Sequence, residues 1–355
     1  MVVGEDGLLP LPWLRPALQQ ALDRRAHALL LQAAPGIGGL EFMLTLAQAW
    51  LCEAHAGAAG RPCGRCESCR LVQARTHPDL LVVLPEALRV ALGWTGQGDE
   101  DASTDGSAKG RRKPSRQIRI DEVRLAIDWV TQSSSRGRAK VVLLHPAEAM
   151  NLQAASALLK TLEEPPGEAR LVLGTRDEAL LLPTVRSRCQ RIRLAAPQPG
   201  EALAWLQGQG VRDPQVLLAA AGGGPLAALD MARAGVDGAG WTALPGAVRT
   251  GQAASLAGWP VPQALDALQK LCHDALRVSL GVAPRYFPPQ SVPVGASLQA
   301  LAAWSRSLAR VARHDEHPWN EGLLIEALVA EGRACWQEAT TRRARDPRGL
   351  DKLPA

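Results

Sequence analysis

Lysine is scarce in this chain: six of the 40 basic residues are lysine, and arginine carries the rest of the positive charge. Against 35 acidic residues this leaves a formal charge of +5, an excess that permits an acidic partner such as nucleic acid without requiring one. Long apolar runs are missing. None reaches the roughly 18 to 20 residues of a membrane span, and residues 1–14 include Glu5 and Asp6 where a leader would be basic and then apolar. Cysteine is sparse and odd in number, seven in all with four clustered, unlike the paired framework of a small secreted domain. The expectation is a soluble cytoplasmic protein, neither secreted nor inserted in a membrane. Disorder and collagen-like repeats are excluded too: of 355 residues 46% are hydrophobic and 21% charged, enough for two or three domains with cores.

What is present reads first as strand, glycine turn and helix. The apolar run Ala28–Gln32 leads into Ala33-Ala34-Pro35-Gly36-Ile37-Gly38-Gly39, and a helical pattern follows through residues 40–51. Further short apolar runs at 80–84, 141–144 and 171–173 show little alternation, as expected of parallel strands buried on both faces. Helical patterns at 121–131 and 152–164 lie between them, so a parallel sheet covered by helices is predicted. Residues 93–117 differ: acidic, then basic, rich in Gly and Ser, with Trp94 the one large apolar side chain, they predict a flexible surface insertion. Beyond Pro197 and Pro199 the periodicity is helical nearly throughout, with glycine breaks at 222–224 and 235–240. The predicted organisation is an α/β domain over 1–195, a small helical domain over 196–239 and a second helical domain over 240–355.

Three motifs carry chemistry by their residues alone. Cys52, Cys63, Cys66 and Cys69 follow C-x10-C-x2-C-x2-C; a tight C-x2-C turn sets two thiolates on one edge of a tetrahedron, and four such ligands predict a closed, structural zinc site. Four unrelated cysteines would rarely cluster so, and redox chemistry would need only two. Pro62 and Gly64 favour a knuckle over a helix there, and His55 and His77 read as bystanders. The glycine turn aligns with a phosphate-binding P-loop at Ala33, Gly36, Gly38, Gly39 and Leu40, yet glycine stands where lysine would neutralise phosphate and leucine where a hydroxyl would hold magnesium. The strand 141–144 ends in His145-Pro146 where an ATPase places acids, and Glu148 lies too far along to replace them. Neither ATP binding nor hydrolysis is expected.

The run Leu158-Leu159-Lys160-Thr161-Leu162-Glu163-Glu164-Pro165-Pro166, together with Ser187-Arg188-Cys189 and the four cysteines, resembles bacterial clamp-loader subunits of the AAA+ superfamily. The likeness is strongest over residues 28–194. Members of the tau/gamma type share the cysteines and the Ser-Arg-Cys motif but keep an intact P-loop, so the degenerate loop sets this chain with the non-ATP-binding branch. The resemblance implies an AAA+ P-loop-like parallel-sheet domain with a zinc knuckle, a helical lid domain and a C-terminal helical collar over about 241–342. It implies that Arg188 acts in trans as an arginine finger on ATP held by a neighbouring tau/gamma subunit, with Arg186 a secondary contact and Cys189 a buried filler; the competing role for Arg188 is pairing with a surface carboxylate. Thr175-Arg176 and Leu226 stand where ATP-binding relatives carry phosphate-sensing side chains. Trp259, Trp304, Trp319 and Trp336 are interface candidates, with core packing the competing role.

Implied partners are the tau/gamma and delta subunits and, through them, the sliding clamp, the polymerase core and primer–template DNA. Two other functions compete: an active tau/gamma-like ATPase, and a free-standing zinc-dependent nucleic-acid-binding module whose DNA affinity would fall with salt.

Overall fold

A computed structural model describes residues 2–24, 26–54, 60–94, 114–313 and 320–345, the side chains of 338–345 excepted. Most of the segment expected as a flexible insertion, His55 and Trp319 lie outside these residues. The chain divides into two compact units, 1–197 and 198–355.

The first unit runs α1 (Arg15–Asp23), β1 (Ala28–Gln32), α2 (Gly39–Leu51), α3 (Glu67–Gln73), β2 (Leu80–Val83), α4 (Glu86–Ala91), α5 (Ile120–Val130), β3 (Val141–Leu144), α6 (Leu152–Glu163), β4 (Arg170–Thr175), α7 (Pro183–Arg186) and β5 (Gln190–Arg193). The strands form one parallel sheet in the order β2-β3-β4-β1-β5. Its centre is apolar because it is covered on both sides: Leu29, Leu30, Leu143 and Leu173 are each 1% exposed or less, and each such leucine contributes about 1.5–3 kcal/mol by burial. On one face Val123 and Ala126 of α5 and Leu158 and Leu162 of α6 pack with Leu30, Leu144, Leu171 and Leu173. Asn151 starts α6 by accepting from the Ala154 amide at 2.8 Å, and Pro165-Pro166 follow its end.

The strand β5 was not foreseen. It is an edge strand in which only Ile192 is buried while Arg191 and Arg193 face outward, so no apolar run announces it.

The second unit is helical: α8 (Pro199–Gly208), α9 (Pro214–Ala220), α10 (Pro225–Arg233), α11 (Gly238–Thr250), α12 (Val261–Ser279), α13 (Leu298–Arg313) and α14 (Glu321–Arg345). It takes in both segments expected as separate helical domains, and they share one core in which Leu206, Leu217 and Leu229 join Trp241, Leu268, Trp304 and Leu328. Trp241 stacks on Phe287 with ring centroids 4.7 Å apart. Buried Asp274 on α12 accepts from the amides of Arg285, Tyr286 and Phe287 at 2.8, 2.7 and 2.9 Å, folding the following loop onto the helix. Trp304 and Trp336 are core side chains, their indoles donating to the carbonyls of Leu328 and Pro293 at 2.9 and 3.1 Å, and Trp259 packs partly buried against the same core. Among the described residues no single helix is long and apolar enough to cross a membrane.

Candidate functional site

The four clustered cysteines converge as their spacing suggests. Cys52 caps the end of α2, and Cys66 caps the start of α3, its sulfur accepting from the Cys69 amide at 3.4 Å. The Cys66 amide in turn donates to the Cys63 sulfur at 3.3 Å. All four Sγ atoms lie within 4.8 Å of one another, with Cys63–Cys69 at 4.0 Å and Cys52–Cys66 at 3.9 Å. A tetrahedral ion with thiolate bonds of about 2.3 Å needs sulfurs about 3.8 Å apart, so the cluster fits such an ion. Burial pushes the Cys52 and Cys69 thiols up. For Cys63, burial acts the same way but hydrogen bonds from the Cys66 and Arg65 amides outweigh it, lowering the thiol to about 6.

His77 does not join the cluster: its Nδ1 accepts from the Asp79 amide at 3.0 Å and its Nε2 meets the Ser68 hydroxyl at 2.7 Å. Gly64 has φ +72, and a Cβ there would lie 1.7 Å from the Gly4 carbonyl oxygen, so only glycine lets the knuckle and the N-terminal segment meet. Gln48 and Gln73 seal that contact. Gln48 exchanges both amide bonds with Val3 at 3.0 and 2.9 Å, while Gln73 donates to the carbonyls of Val3 and Gly64 at 2.9 and 2.8 Å.

An ion-pair network, which nothing in the sequence pattern signals, ties the knuckle to the loop before β3. Arg136 donates to Glu53 and to Glu67, both at 2.7 Å, each acid adjoining a clustered cysteine. Buried Asp79 accepts from the Ser135 and Arg136 amides at 2.8 and 2.9 Å and from the Ser134 hydroxyl at 3.0 Å, and pairs with Lys140 at 3.3 Å. Burial alone would raise the Asp79 carboxyl, but these bonds prevail and hold it below the usual carboxylate range. Asp79→Asn is therefore expected to destabilise the chain by on the order of 3 kcal/mol, because Lys140 is left buried without its counter-charge. With the folded pKa depressed, the stabilisation is complete above the unfolded value of about 3.9 and is lost as pH falls through the folded value. Urea unfolding of both proteins from pH 7 to 3 checks this; equal stabilities at pH 7 would refute it.

The glycine turn between β1 and α2 keeps a P-loop's shape. Gly36 and Gly38 take φ +75 and +104, and the buried Trp13 indole donates to the Ile37 carbonyl at 2.9 Å, bracing the turn. Its chemistry is different. A Cβ at Gly39 would lie 3.1 Å from that of Ala33, and neither Gly39 nor Leu40 offers a charge or a hydroxyl. Above the sheet, Met43 and His145 press on Gly174 so closely that a Cβ there would meet their Sδ and Nδ1 at 2.5 and 2.6 Å. Burial pushes the His145 imidazole down, keeping it neutral at physiological pH. Glu148 engages Arg176 through Oε1, accepting from its amide at 3.3 Å and facing its Nε at 3.4 Å, while its Oε2 is buried without a partner. Thr175 is buried and donates to the Asp177 carbonyl at 3.0 Å. The turn itself offers neither the lysine nor the hydroxyl of a magnesium–nucleotide site.

Arg188 follows α7, which Pro183 opens and buried Val185 anchors. Its Nε donates to Glu163 at 2.5 Å, Nη2 pairs with the same carboxylate oxygen, and Nη1 donates to the Thr184 carbonyl at 2.8 Å. The guanidinium remains 30% exposed and Glu163 48%. Cys189 is buried, its thiol raised by burial to about 12, as a filler would be. The competing expectation, that Arg188 pairs with a surface carboxylate, describes this contact; what the sequence does not single out is Glu163 as the partner, although it lies within the 158–166 run.

Sheet order and glycine turn make this a P-loop-like α/β protein with a second, helical unit, the class that the clamp-loader resemblance implies. The chain belongs to the DNA polymerase III delta-prime family. A family model described as DNA polymerase III, delta subunit, matches residues 14–198. The delta-prime subunit of Pseudomonas aeruginosa is 40% identical over 226 residues, 61% of this chain and 60% of that protein. That of Escherichia coli K12 is 32% identical over 291 residues, 76% of this chain and 78% of that one. The E. coli tau subunit is 29% identical over 176 residues, covering 50% of this chain but 23% of tau.

Proposed function

We propose that this chain is a non-ATP-binding subunit of the clamp loader, a fixed element that presents Arg188 in trans to ATP held by a neighbouring tau/gamma subunit while the sliding clamp is placed on primed DNA. The observation that carries this reading is the pairing, within one AAA+-type unit, of a glycine turn without phosphate chemistry and a surface arginine in a Ser-Arg-Cys motif. A guanidinium is always charged and spreads over phosphoryl oxygens as negative charge develops, which is the chemistry a finger supplies. Partners on this reading are tau/gamma and delta, with contact to clamp, polymerase core and DNA through the assembly in the cytoplasm. Cys52, Cys63, Cys66 and Cys69 would hold a structural zinc ion, which when bound ties the end of α2 to the start of α3. The helices from Trp241 onward would form the collar, and residues 196–239 the lid.

Titration of the purified chain with a fluorescent ATP analogue is expected to show no saturable binding up to roughly millimolar concentration. Micromolar affinity would return the chain to the ATPase class.

A further inference from the structure

We infer that Glu163 is a positioning residue for Arg188: its carboxylate occupies the guanidinium edge that a phosphoryl group would take, and yields that edge when the phosphoryl group arrives. This rests on the reading of Arg188 as a finger. The Nε and Nη2 groups form the side of an arginine that grips two oxygens of a carboxylate or phosphate at once. Here both point at one carboxylate oxygen of Glu163. Nη1 is committed elsewhere, to the Thr184 carbonyl, which also accepts the Ser187 hydroxyl at 3.0 Å. The arginine is thus steered from one side by backbone and capped on the other by a removable charge.

The placement of Glu163 follows from the helix that carries it. It is the last residue of α6, and Pro165-Pro166 allow no further turn. A carboxylate at a helix C-terminus gains nothing from the helix dipole, so the pairing with Arg188 is what accounts for its orientation. A purely structural role explains little, because the pair is open to water at 30% and 48% exposure and exposed pairs add little stability. Such a pair is weak enough to be exchanged for a multiply charged phosphate, yet strong enough to keep a long side chain from wandering.

The test uses a loader reconstituted with tau/gamma and delta and four versions of this chain: wild type, Glu163→Gln, Arg188→Ala and the double variant. ATP turnover is measured against ATP concentration with clamp and primed DNA present. Glutamine keeps the shape and removes the charge, so Glu163→Gln is expected to lower the KM for ATP about two- to fivefold with kcat changed by less than about twofold. The double variant should match Arg188→Ala alone, since Glu163 acts only through the arginine. An unchanged or raised KM in Glu163→Gln, or the same shift on the Arg188→Ala background, overturns the inference. If Arg188→Ala slows turnover while Glu163→Gln is silent, only the positioning role falls. If Arg188→Ala is itself silent, the finger reading falls and takes this one with it.

Discussion

Replacing Arg188 by alanine is expected to cut the clamp- and DNA-stimulated ATP turnover of the reconstituted loader by roughly tenfold or more, with assembly unchanged. Arginine fingers in phosphoryl-transfer systems contribute about 10³ to 10⁵ in rate, so roughly tenfold is a floor for the expected loss. Assembly should survive because the side chain is partly exposed and its contacts are one surface carboxylate, one carbonyl and a distant Ser187 hydroxyl, which together are worth about 1 kcal/mol or less. Lysine at 188 should rescue poorly, since a point charge cannot grip two oxygens from one edge. Gel filtration beside the ATPase assay separates the cases. Equal loss of assembly and turnover would make Arg188 structural, and full activity in the variant would remove the finger altogether.

The second large effect is expected at the cysteine cluster. Purified protein should carry one zinc per chain by elemental analysis, and Cys66→Ser or a strong chelator should release it. Structural zinc in small finger peptides is worth about 10–16 kcal/mol of folding energy, but here the sheet has its own core, so only the knuckle's share is at stake. A loss on the order of 3 kcal/mol is expected, lowering the melting temperature of the first unit by about 6–12 °C. The damage should spread in a defined direction. Gln73 joins the knuckle to Val3, and Arg136 joins it to the loop before β3, so amide exchange should quicken at residues 2–7 and 133–138 before it does in the sheet. Metal-free wild-type protein, or melting indifferent to chelator, would end the zinc reading.

Much of the first unit can be read directly from its residues because its central strands are buried on both faces. Ala28–Gln32 and Val141–Leu144 are nearly uninterrupted apolar runs, and such runs have few alternatives. β5 escapes for the opposite reason, its outward arginines masking one buried isoleucine. The cysteine cluster is legible because metal ligands impose spacing on the chain itself. The Arg188–Glu163 contact is not, since it joins residues 25 positions apart through the packing of two helices. Nor does helical periodicity reveal that Leu217 and Trp304 share one core: an amphipathic helix shows that it has a buried face, not which neighbour it faces.

Met43 and His145 leave no room for a side chain at Gly174, Glu148 pairs with Arg176, and a Cβ at position 39 would lie 3.1 Å from that of Ala33. Under the proposed reading, lysine and serine placed at 39 and 40 would not by themselves make a nucleotide site, because the neighbouring strand β3 ends in His145-Pro146 and not in acids. Under the same reading the chain's contribution lies in the surface it offers its neighbour, and no one substitution in the turn would convert it into an engine that burns fuel of its own.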